Sequence, residues 1–322
     1  MNYVMDSQND LFLMIKSIDK KVTAKGLPYL DLMLCDKTGE ISSKLWDYHE
    51  ELHGMFQVGD IVKVRGTVSQ YNGADQLRVE RIRKVNESDN VDPADFVPAA
   101  DLSGEEMYNE LLSIANGFMD SEIKSIVVAI YEDYKDRLTY WPAAFKLHHA
   151  IRGGLLYHTL SIVRLAQSVC KLYPSINSDL LLAGVLLHDV AKCDEFEVNE
   201  AGTATGYTLE GNLVGHLAKG AIIIDRYAEK LGISDETKFL LQHMVLSHHG
   251  EPEFGAAVRP MFLEAEILSE LDLLDARMYE VEEAVGNAPT GDYTSRLWAL
   301  DNRKFYNHGR TDVSTVAKLI EK

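Results

Sequence analysis

The apolar residues of this chain change their spacing once, and this change constrains the fold more than any other feature. Between residues 10 and 85 they alternate with polar residues, as in LPYLDLML, where Leu30, Leu32 and Leu34 share one face. From residue 105 onward they recur at the three- and four-residue spacing of helices. The sequence therefore predicts a multidomain α+β protein, with a small β-domain at residues 1–85 and an all-α helical bundle at residues 105–322.

The first domain has room for about five short strands joined by tight turns. Asn72 and Gly73, between two alternating segments, are a strong hairpin signal. Such strands suit a sandwich or a small Greek-key barrel such as the oligonucleotide/oligosaccharide-binding (OB) fold. Residues 86–104 contain two prolines, five acids and no base, which predicts a solvated, extended acidic linker.

Seven segments of the second domain show helical periodicity, and several begin at Asp or Ser, as helix caps do. They are residues 105–119, 122–138, 154–173, 178–192, 215–231, 235–249 and 262–285. We expect these helices to pack into one bundle.

The composition limits the location and the partners of the protein. No apolar run is long enough to span a membrane, and the N-terminus lacks the pattern of a secretion signal. Cys35, Cys170 and Cys193 are too widely spaced for a disulfide framework or a zinc-thiolate cluster, so a cytoplasmic protein is expected. The net charge of −18 lies outside residues 1–85, which hold 12 basic and 12 acidic residues. A polyanion would therefore be held by the β-domain and by bound cations.

Histidines and aspartates in or beside the apolar runs of the second domain form a candidate metal site. They are His158, His188, Asp189, His216, His248, His249 and Asp272. Facing helices of a bundle build metal sites from such side chains. Imidazole and carboxylate without thiolate suit Mn, Fe, Zn or Mg, and the set exceeds what one ion needs. We therefore expect two divalent cations, bridged by Asp189, which also compensate the burial of its charge.

Lys192 follows His188 by four residues and so shares its helix face. Its ammonium group either holds a phosphate oxygen or extends to solvent. Asp189 and Lys192 are the predicted catalytic residues. Cys193 is predicted to be a buried apolar residue and not a nucleophile, and His243 should face away from His248.

The order His, His-Asp, His, His-His, Asp, with HDVAK at its centre, resembles the HD-domain metal-dependent phosphohydrolases. WPAAFKLHHAIRGGLLYHTLSIVRLA, YTLEGNLVGHLAKG and LSHHGEPEFGAAVRP closely resemble the YhaM family of bacterial 3′→5′ exoribonucleases. That family places an OB-fold domain before its HD domain, and GLPYLDLMLCDKTGEISSKLWD fits this domain. The resemblance spans nearly the whole chain and is weakest in the linker and after residue 287.

This resemblance implies a small N-terminal OB-fold β-barrel followed by an HD-domain helical bundle. It implies that the metal ligands are His158, His188, Asp189, His216, His248 and/or His249, and Asp272. It also implies dependence on Mn²⁺, with Mg²⁺, Fe²⁺ or Co²⁺ as alternatives, and the 3′→5′ polarity. His149 and Arg152, in HHAIRGG, would bind substrate phosphates; the alternative is a turn packed against the next helix.

The β-domain carries aromatic and basic side chains that suit single-stranded nucleic acid, in which bases stack and phosphates attract cations. The aromatic candidates are Tyr29, Trp46, Tyr48 and Tyr71, and the basic ones are Lys44, Lys63, Arg65, Arg78 and Arg81. Alternation does not decide which aromatic side chains face outward and which belong to the core. We assign substrate contacts to Tyr29, Lys44, Trp46 and Arg65.

Together these features predict a 3′-5′ exoribonuclease that degrades single-stranded RNA to nucleoside monophosphates by metal-activated water attack; single-stranded DNA is an alternative substrate. A second hypothesis is an HD-domain phosphohydrolase of free or cyclic nucleotides with a regulatory OB domain. A third, a binding module with a decayed site, is disfavoured because every metal position is filled. No membrane partner is predicted. A homo-oligomer is compatible with the sequence, which does not determine the oligomeric state.

Overall fold

The computed structural model describes residues 1–23, 25–71, 73–96, 99–100, 102–145, 151–311 and 313. The chain forms two compact units, of which the first comprises Met1–Ala99 with Val198–Thr205 and the second Ala100–Glu197 with Gly206–Lys322. The predicted turn residue Asn72 and the predicted phosphate-binding residue His149 lie outside the described residues.

The first unit is built on a closed five-stranded barrel. Its elements are β1 (Gln8–Val22), β2 (Pro28–Asp36), β3 (Gly39–Trp46), the short helix α1 (Glu50–His53), β4 (Ile61–Tyr71) and β5 (Ala74–Lys84). The strands follow the order β1-β2-β3-β5-β4, and β4 pairs with β1 to close the barrel. Of the five strand pairings that form the barrel, β3–β5 is parallel and the other four are antiparallel. The predicted OB-fold barrel is confirmed.

The alternating pattern of β2 fills the barrel core. Leu30, Leu32 and Leu34 are at most 2% exposed, as predicted, because alternate side chains of a strand point to opposite faces. Gly66 lies where the register of β4 shifts against β5. A Cβ at Gly66 would lie 2.3 Å from the carbonyl oxygen of Arg78, so a larger residue would force these strands apart.

The acidic segment after β5 differs from the expected solvated, extended chain. It forms two 3-10 turns, at Glu87–Asp89 and Pro93–Phe96. Phe96 is only 5% exposed and packs with Met14, Cys35 and Ala201 of the same unit. Burial of the Phe96 ring removes apolar surface from water. This favourable free energy offsets the entropy cost of ordering the acidic segment. The domain boundaries at residues 85 and 105 remain predictions.

The second unit is mainly helical. Its helices are α2 (Gly104–Asn116), α3 (Ser121–Leu138), α4 (Gly154–Leu172), α5 (Ser178–Leu187), α6 (Lys192–Glu195), α7 (Leu209–Leu213), α8 (Gly215–Leu231), α9 (Asp235–Ser247) and α10 (Leu263–Gly286). A short hairpin, β6 (Phe196–Val198) and β7 (Ala204–Tyr207), interrupts them. Two 3-10 turns follow, at Pro252–Phe254 and Trp298–Leu300. No helix in the described part of the chain is long and apolar enough to cross a bilayer.

Side-chain caps explain why several helices begin where the sequence predicts. The side chain of Asn177 accepts a hydrogen bond from the backbone N–H of Leu180 at the start of α5. Ser234 does the same for Thr237 at the start of α9. Each such cap satisfies a backbone donor that the helix itself leaves unpaired, and its loss costs about 1 kcal/mol.

Small residues let α5 and α8 pack closely against α9. A Cβ at Gly184 of α5 would lie 2.1 Å from Cε of Met244, and one at Gly220 of α8 would lie 2.7 Å from Cγ1 of Val245. This close packing helps to bring the C-terminal ends of α5 and α9 to the N-terminal end of α8. His188, Asp189, His216, His248 and His249 lie at these helix ends, whereas His158 is on α4 and Asp272 on α10.

Candidate metal centre and nucleic-acid interface

The helix predicted over residues 178–192 ends early, and this end positions the central carboxylate. α5 stops at Leu187, and the chain continues in tight turns with hydrogen bonds from Val190 N to Leu187 O and from Lys192 N to Asp189 O. Because these bonds join residues three apart, Lys192 lies over Asp189 and not one α-helical turn above His188. The predicted continuous helix through Lys192 is therefore wrong, although both side chains still face the site.

The first group of candidate ligands is His158 on α4, His188 at the end of α5 and Asp272 on α10. Nε2 of His158 lies 3.1 Å from Oδ1 of Asp272 and 3.4 Å from Nε2 of His188. Oδ2 of Asp189 lies 3.4 Å from Nε2 of His188 and 3.8 Å from Nε2 of His158. One oxygen of Asp189 therefore faces this first triad.

The second group is His216 at the start of α8 with His248 and His249 at the end of α9. The other oxygen of Asp189, Oδ1, lies 3.6 Å from Nε2 of His216 and 3.7 Å from Nε2 of His248. The ring of His249 contacts those of His248 and His216. Asp189 thus stands between two triads and presents one carboxylate oxygen to each.

Unpaired buried atoms show that this residue set fits metal ions. Within the described chain, Oδ1 of Asp189, Nε2 of His216, Nε2 of His248 and Nδ1 of His249 are buried without any hydrogen-bond partner. Each such atom costs about 1–3 kcal/mol when it is left unsatisfied. These atoms are all acceptors when the imidazoles are neutral, and a divalent cation would satisfy them together.

The other ring nitrogen, Nδ1, is occupied in four of the five histidines, which fixes the direction of Nε2. It lies 2.7 Å from the carbonyl oxygens of Val185 and Val245 in His188 and His248, respectively. In His158 and His216 a carboxylate takes that role. A hydrogen bond of this kind sets the ring orientation and leaves the opposite nitrogen free for a metal.

Two carboxylates that the sequence analysis did not identify hold the remaining two histidines. Asp275 Oδ2 accepts from Nδ1 of His158 at 2.7 Å, and its other oxygen accepts from the hydroxyl of Ser161. Glu195 Oε2 lies 3.0 Å from Nδ1 of His216. A signal exists for Asp275, because it follows Asp272 by three residues and so shares its helix face. No comparable sequence signal exists for Glu195, which ends the one-turn helix α6 directly before β6.

The pKa values reflect this charge distribution. Burial raises the pKa of Asp189, but the ammonium of Lys192 and the ring of His188 outweigh it and hold the pKa well below its usual range. Burial lowers the pKa of His158, but its hydrogen bonds to Asp272 and Asp275 outweigh that effect and raise the pKa to about 10. Burial and the neighbouring imidazoles lower the pKa of His248 well below its ordinary value, so this ring is neutral and can ligate.

Lys192 points into the centre instead of extending to solvent. Its ammonium nitrogen lies 2.6 Å from Oδ2 of Asp189, and its side chain is 13% exposed. Burial alone lowers the pKa of Lys192, but Asp189 outweighs it and the pKa is raised. The lysine therefore supplies a fixed positive charge beside the first triad.

Other singled-out residues of this unit lie away from the two triads. Nε2 of His243 accepts a hydrogen bond from the backbone N–H of Met261, in line with the prediction that it faces elsewhere. Cys193 is 2% exposed, and burial raises the pKa of its thiol, as expected of an inert residue. The guanidinium of Arg152 stacks over Tyr140, with 5.3 Å from its central carbon to the ring centre. Its predicted role in phosphate binding remains a prediction.

The outer face of β2 and β3 carries an aromatic pair with a cation. Tyr29 and Trp46 are register partners with ring centres 4.7 Å apart, and Trp46 is 42% exposed. Nζ of Lys44 lies over both rings, at 5.1 Å from the centre of Tyr29 and 5.7 Å from that of Trp46. In OB folds the face of the second and third strands binds oligonucleotides. The sequence candidates Tyr29, Lys44 and Trp46 therefore lie together on a suitable surface.

The structure separates two of the barrel candidates, Tyr48 and Arg65, from this face. Tyr48 is 5% exposed and its hydroxyl bonds to the carbonyl of Gly54, so this ring belongs to the core and cannot stack on a base. Arg65 lies on β4 and makes two hydrogen bonds, of 2.7 and 2.8 Å, to Asp10. It lines a separate groove with Lys63, Arg81 and Arg83. Arg65 and Trp46 thus do not form one binding surface.

Comparison with known proteins agrees with both units. The family model for the HD domain matches residues 155–277, and the model for the OB-fold nucleic acid binding domain matches residues 15–85. A solved domain of replication protein A from Methanococcus maripaludis is 25% identical and covers 26% of this chain and 89% of its own, with a TM-score of 0.23.

Two curated relatives match almost the full length. The 3′-5′ exoribonuclease YhaM of Geobacillus sp. (strain WCH70) is 41% identical over 305 residues, which cover 95% of this chain and 93% of the relative. The 3′-5′ exoribonuclease YhaM of Listeria monocytogenes serotype 4b (strain CLIP80459) is 39% identical over 298 residues, covering 92% and 94%. The protein with this barrel and this paired His/Asp centre therefore belongs to the YhaM family.

Proposed function

We propose that this protein is a metal-dependent 3′-5′ exoribonuclease that shortens single-stranded RNA to nucleoside monophosphates. The observation that carries the proposal is the position of Asp189, whose two oxygens face two separate triads of metal-binding side chains. The full-length match to relatives named 3′-5′ exoribonuclease supports the reaction and its polarity.

The residues divide into two ligand sets that share Asp189. His158, His188 and Asp272 would hold one ion with Oδ2 of Asp189, and His216, His248 and His249 would hold the other with Oδ1. Two divalent cations, with Mn²⁺ the expected ion, would stabilise the charge on a phosphodiester and lower the pKa of the attacking water. Nitrogen and oxygen donors without thiolate suit ions of this class.

The protein's own side chains orient this chemistry. Asp275 and Glu195 fix the rings of His158 and His216, so that Nε2 of each points to the centre. Lys192 keeps two of its three N–H groups beyond its bond to Asp189, and one of them would donate to a non-bridging phosphate oxygen. This contact would strengthen as negative charge develops in the transition state.

The barrel is the part of the protein that would bind the RNA strand. Tyr29 and Trp46 would stack on bases. The ammonium group of Lys44, which lies beside these rings, would neutralise the charge of a backbone phosphate. Residues 1–85 are electrically neutral as a whole, so the barrel repels a polyanion less than the acidic remainder does. A cytoplasmic location remains a prediction.

A labelled RNA provides the direct test. A single-stranded RNA with a 5′ label, incubated with Mn²⁺, Mg²⁺ or a chelator, should shorten stepwise from the 3′ end with an added ion and stay intact with the chelator. Parallel reactions with free and cyclic mononucleotides test the alternative phosphohydrolase. Rapid hydrolysis of those mononucleotides with intact RNA would reject the exoribonuclease in favour of that alternative. Full activity after complete metal removal would reject the metal-dependent site.

A further inference from the structure

A pocket of about 370 Å³ opens beside the second triad. His216 and His249 form one wall, and Val214, Leu217, Leu246 and Phe254 provide apolar surface. Its volume is at the lower end of small-molecule sites, which measure about 300–1,000 Å³. A pocket of this size accommodates a single nucleotide.

Among the large apolar residues of this lining the most exposed is Phe254, at 69%. A large aromatic side chain left in water beside a ligand site is available for stacking. Among the described residues that line the pocket, none is Lys or Arg, so the lining does not select a phosphate. It suits the flat, uncharged face of a nucleobase.

The loop that carries Phe254 is held in place. The backbone N–H of Phe254 donates to the carbonyl of Glu251, and Ala257 N–H donates to that of Leu246. Arg259 forms an ion pair with the carboxylate of Glu251 at 2.6 Å. The ring is therefore presented by an ordered turn, which reduces the entropy cost of stacking.

The same loop lies directly against the metal-binding atoms. A Cβ built on Gly255 would lie 3.4 Å from Nδ1 of His249, the nitrogen that has no partner among the described residues. Phe254 therefore precedes a residue in contact distance of the second triad. A base stacked on Phe254 would have its own phosphodiester at that triad.

We infer that this pocket binds the base of the 3′-terminal nucleotide, which stacks on Phe254 while its phosphodiester lies at the triad of His216, His248 and His249. This inference rests on the proposed function and assigns it a subsite. The carboxylate of Glu195 and Nδ1 of His216 are paired with each other. The described polar lining therefore presents few hydrogen-bonding groups that could recognise a base edge. The subsite is consequently indifferent to which base it holds.

The first test compares Phe254→Ala with two matched variants. Phe254→Ala should raise KM for RNA about tenfold, because loss of one base–aromatic stack has that size, and should change kcat less. Phe254→Tyr should restore KM. Phe239→Ala, which removes another exposed phenylalanine of the same unit, should leave KM unchanged. Unchanged KM in Phe254→Ala would overturn the inference.

The second test removes the base instead of the ring. On RNA with an abasic 3′-terminal nucleotide, the parent and Phe254→Ala should have equal KM, since neither can stack. If the two proteins still differ about tenfold there, or become equal only when the penultimate nucleotide is abasic, the assignment to the terminal base is wrong.

A binding measurement separates this inference from the proposed function. RNA with 2-aminopurine at its 3′ end, mixed with the full-length protein in chelator, should lose fluorescence on binding to the parent and retain it with Phe254→Ala. Equal fluorescence with both proteins would overturn the subsite. A parent that quenches this probe but shortens no RNA with Mn²⁺ would refute the proposed function and leave the base pocket supported.

Discussion

The ammonium nitrogen of Lys192 lies 2.6 Å from Oδ2 of Asp189, within a centre whose other side chains are imidazoles and carboxylates. Asp189 is 3% exposed, so its charge requires a partner close by. Lys192 provides that partner on the side of the first triad. On the other side, Oδ1 of Asp189 is left without a hydrogen bond among the described residues.

Replacing Lys192 should therefore destabilise the metal-free protein more than the metal-bound protein. Removal of one member of a buried ion pair costs about 3–5 kcal/mol. Lys192→Met should lower the melting temperature in chelator, and Mn²⁺ should recover most of the loss because cations then compensate Asp189. Thermal unfolding with and without Mn²⁺ measures this difference. An equal loss under both conditions would mean that the lysine acts through packing alone.

Asp189→Asn should abolish turnover while the fold persists. The amide keeps the shape of the side chain but loses the charge and the ability to ligate strongly through both oxygens. We expect turnover to fall at least about a thousandfold, or roughly 4 kcal/mol of transition-state stabilisation, and Lys192→Met to have a smaller effect. Metal content, RNA affinity and single-turnover cleavage should be measured on the same preparations. Cleavage within tenfold of the parent would disprove the assignment of Asp189.

The RNA affinity of Asp189→Asn should stay within a few-fold of the parent, because the barrel holds the strand. Loss of RNA affinity together with activity would mean that the helical unit, and not the barrel, contributes most of the affinity for RNA.

Asp275→Asn and Glu195→Gln should each weaken the binding of one metal ion. Partners that orient a ligating histidine typically contribute about 10–100-fold in metal affinity. Asp275→Asn should affect the ion held by His158, and Glu195→Gln the ion held by His216. Glu264→Gln is the control, because this buried carboxylate accepts from the backbone N–H of Asn177 and forms no hydrogen bond or ion pair with a histidine in the described part of the chain. Calorimetric titration with Mn²⁺ should show one weakened site in each variant and none in the control.

Trp46→Ala should weaken binding of long RNA and leave cleavage of a dinucleotide nearly unchanged. The stack that is lost contributes about 1–3 kcal/mol per base, and a dinucleotide held at the metal centre has no further bases to stack on Trp46. Arg65→Ala should have less effect, because Asp10 already neutralises its guanidinium. Leu52→Ala is the control, because it also removes an exposed apolar side chain, but one that does not lie on this face. Equal effects of Trp46→Ala on both substrates would exclude the barrel face from RNA capture.

Periodicity predicted most helices and strands well, because the apolar faces and the capping residues indicate the same boundaries. The predicted starts of α4, α5, α8 and α9 coincide with the observed ones. The candidate metal-binding histidines could be found because each lies in or beside an apolar run. Their grouping into two triads could not, since it depends on how α4, α5, α8, α9 and α10 meet in space.

Periodicity could not place side chains where the backbone leaves a regular repeat. Alternation left the direction of Tyr48 open, and Asp47, with a φ of 57°, turns Tyr48 into the core. In the same way, the tight turns after Leu187 move Lys192 from His188 to Asp189. Phe96 is buried because of partners distant in sequence, which no local pattern reports.

The packing of Phe96 and Ala201 on Met14 and Cys35 determines how this protein can be dissected. A shortened protein that ends at residue 85 would lack both Phe96 and Ala201, and would expose the apolar surface that they cover. Loss of RNA binding in such a fragment would then report misfolding and aggregation, and not the absence of a binding face. Residues from the middle of the chain complete the barrel, so its role has to be measured by single substitutions in the intact protein.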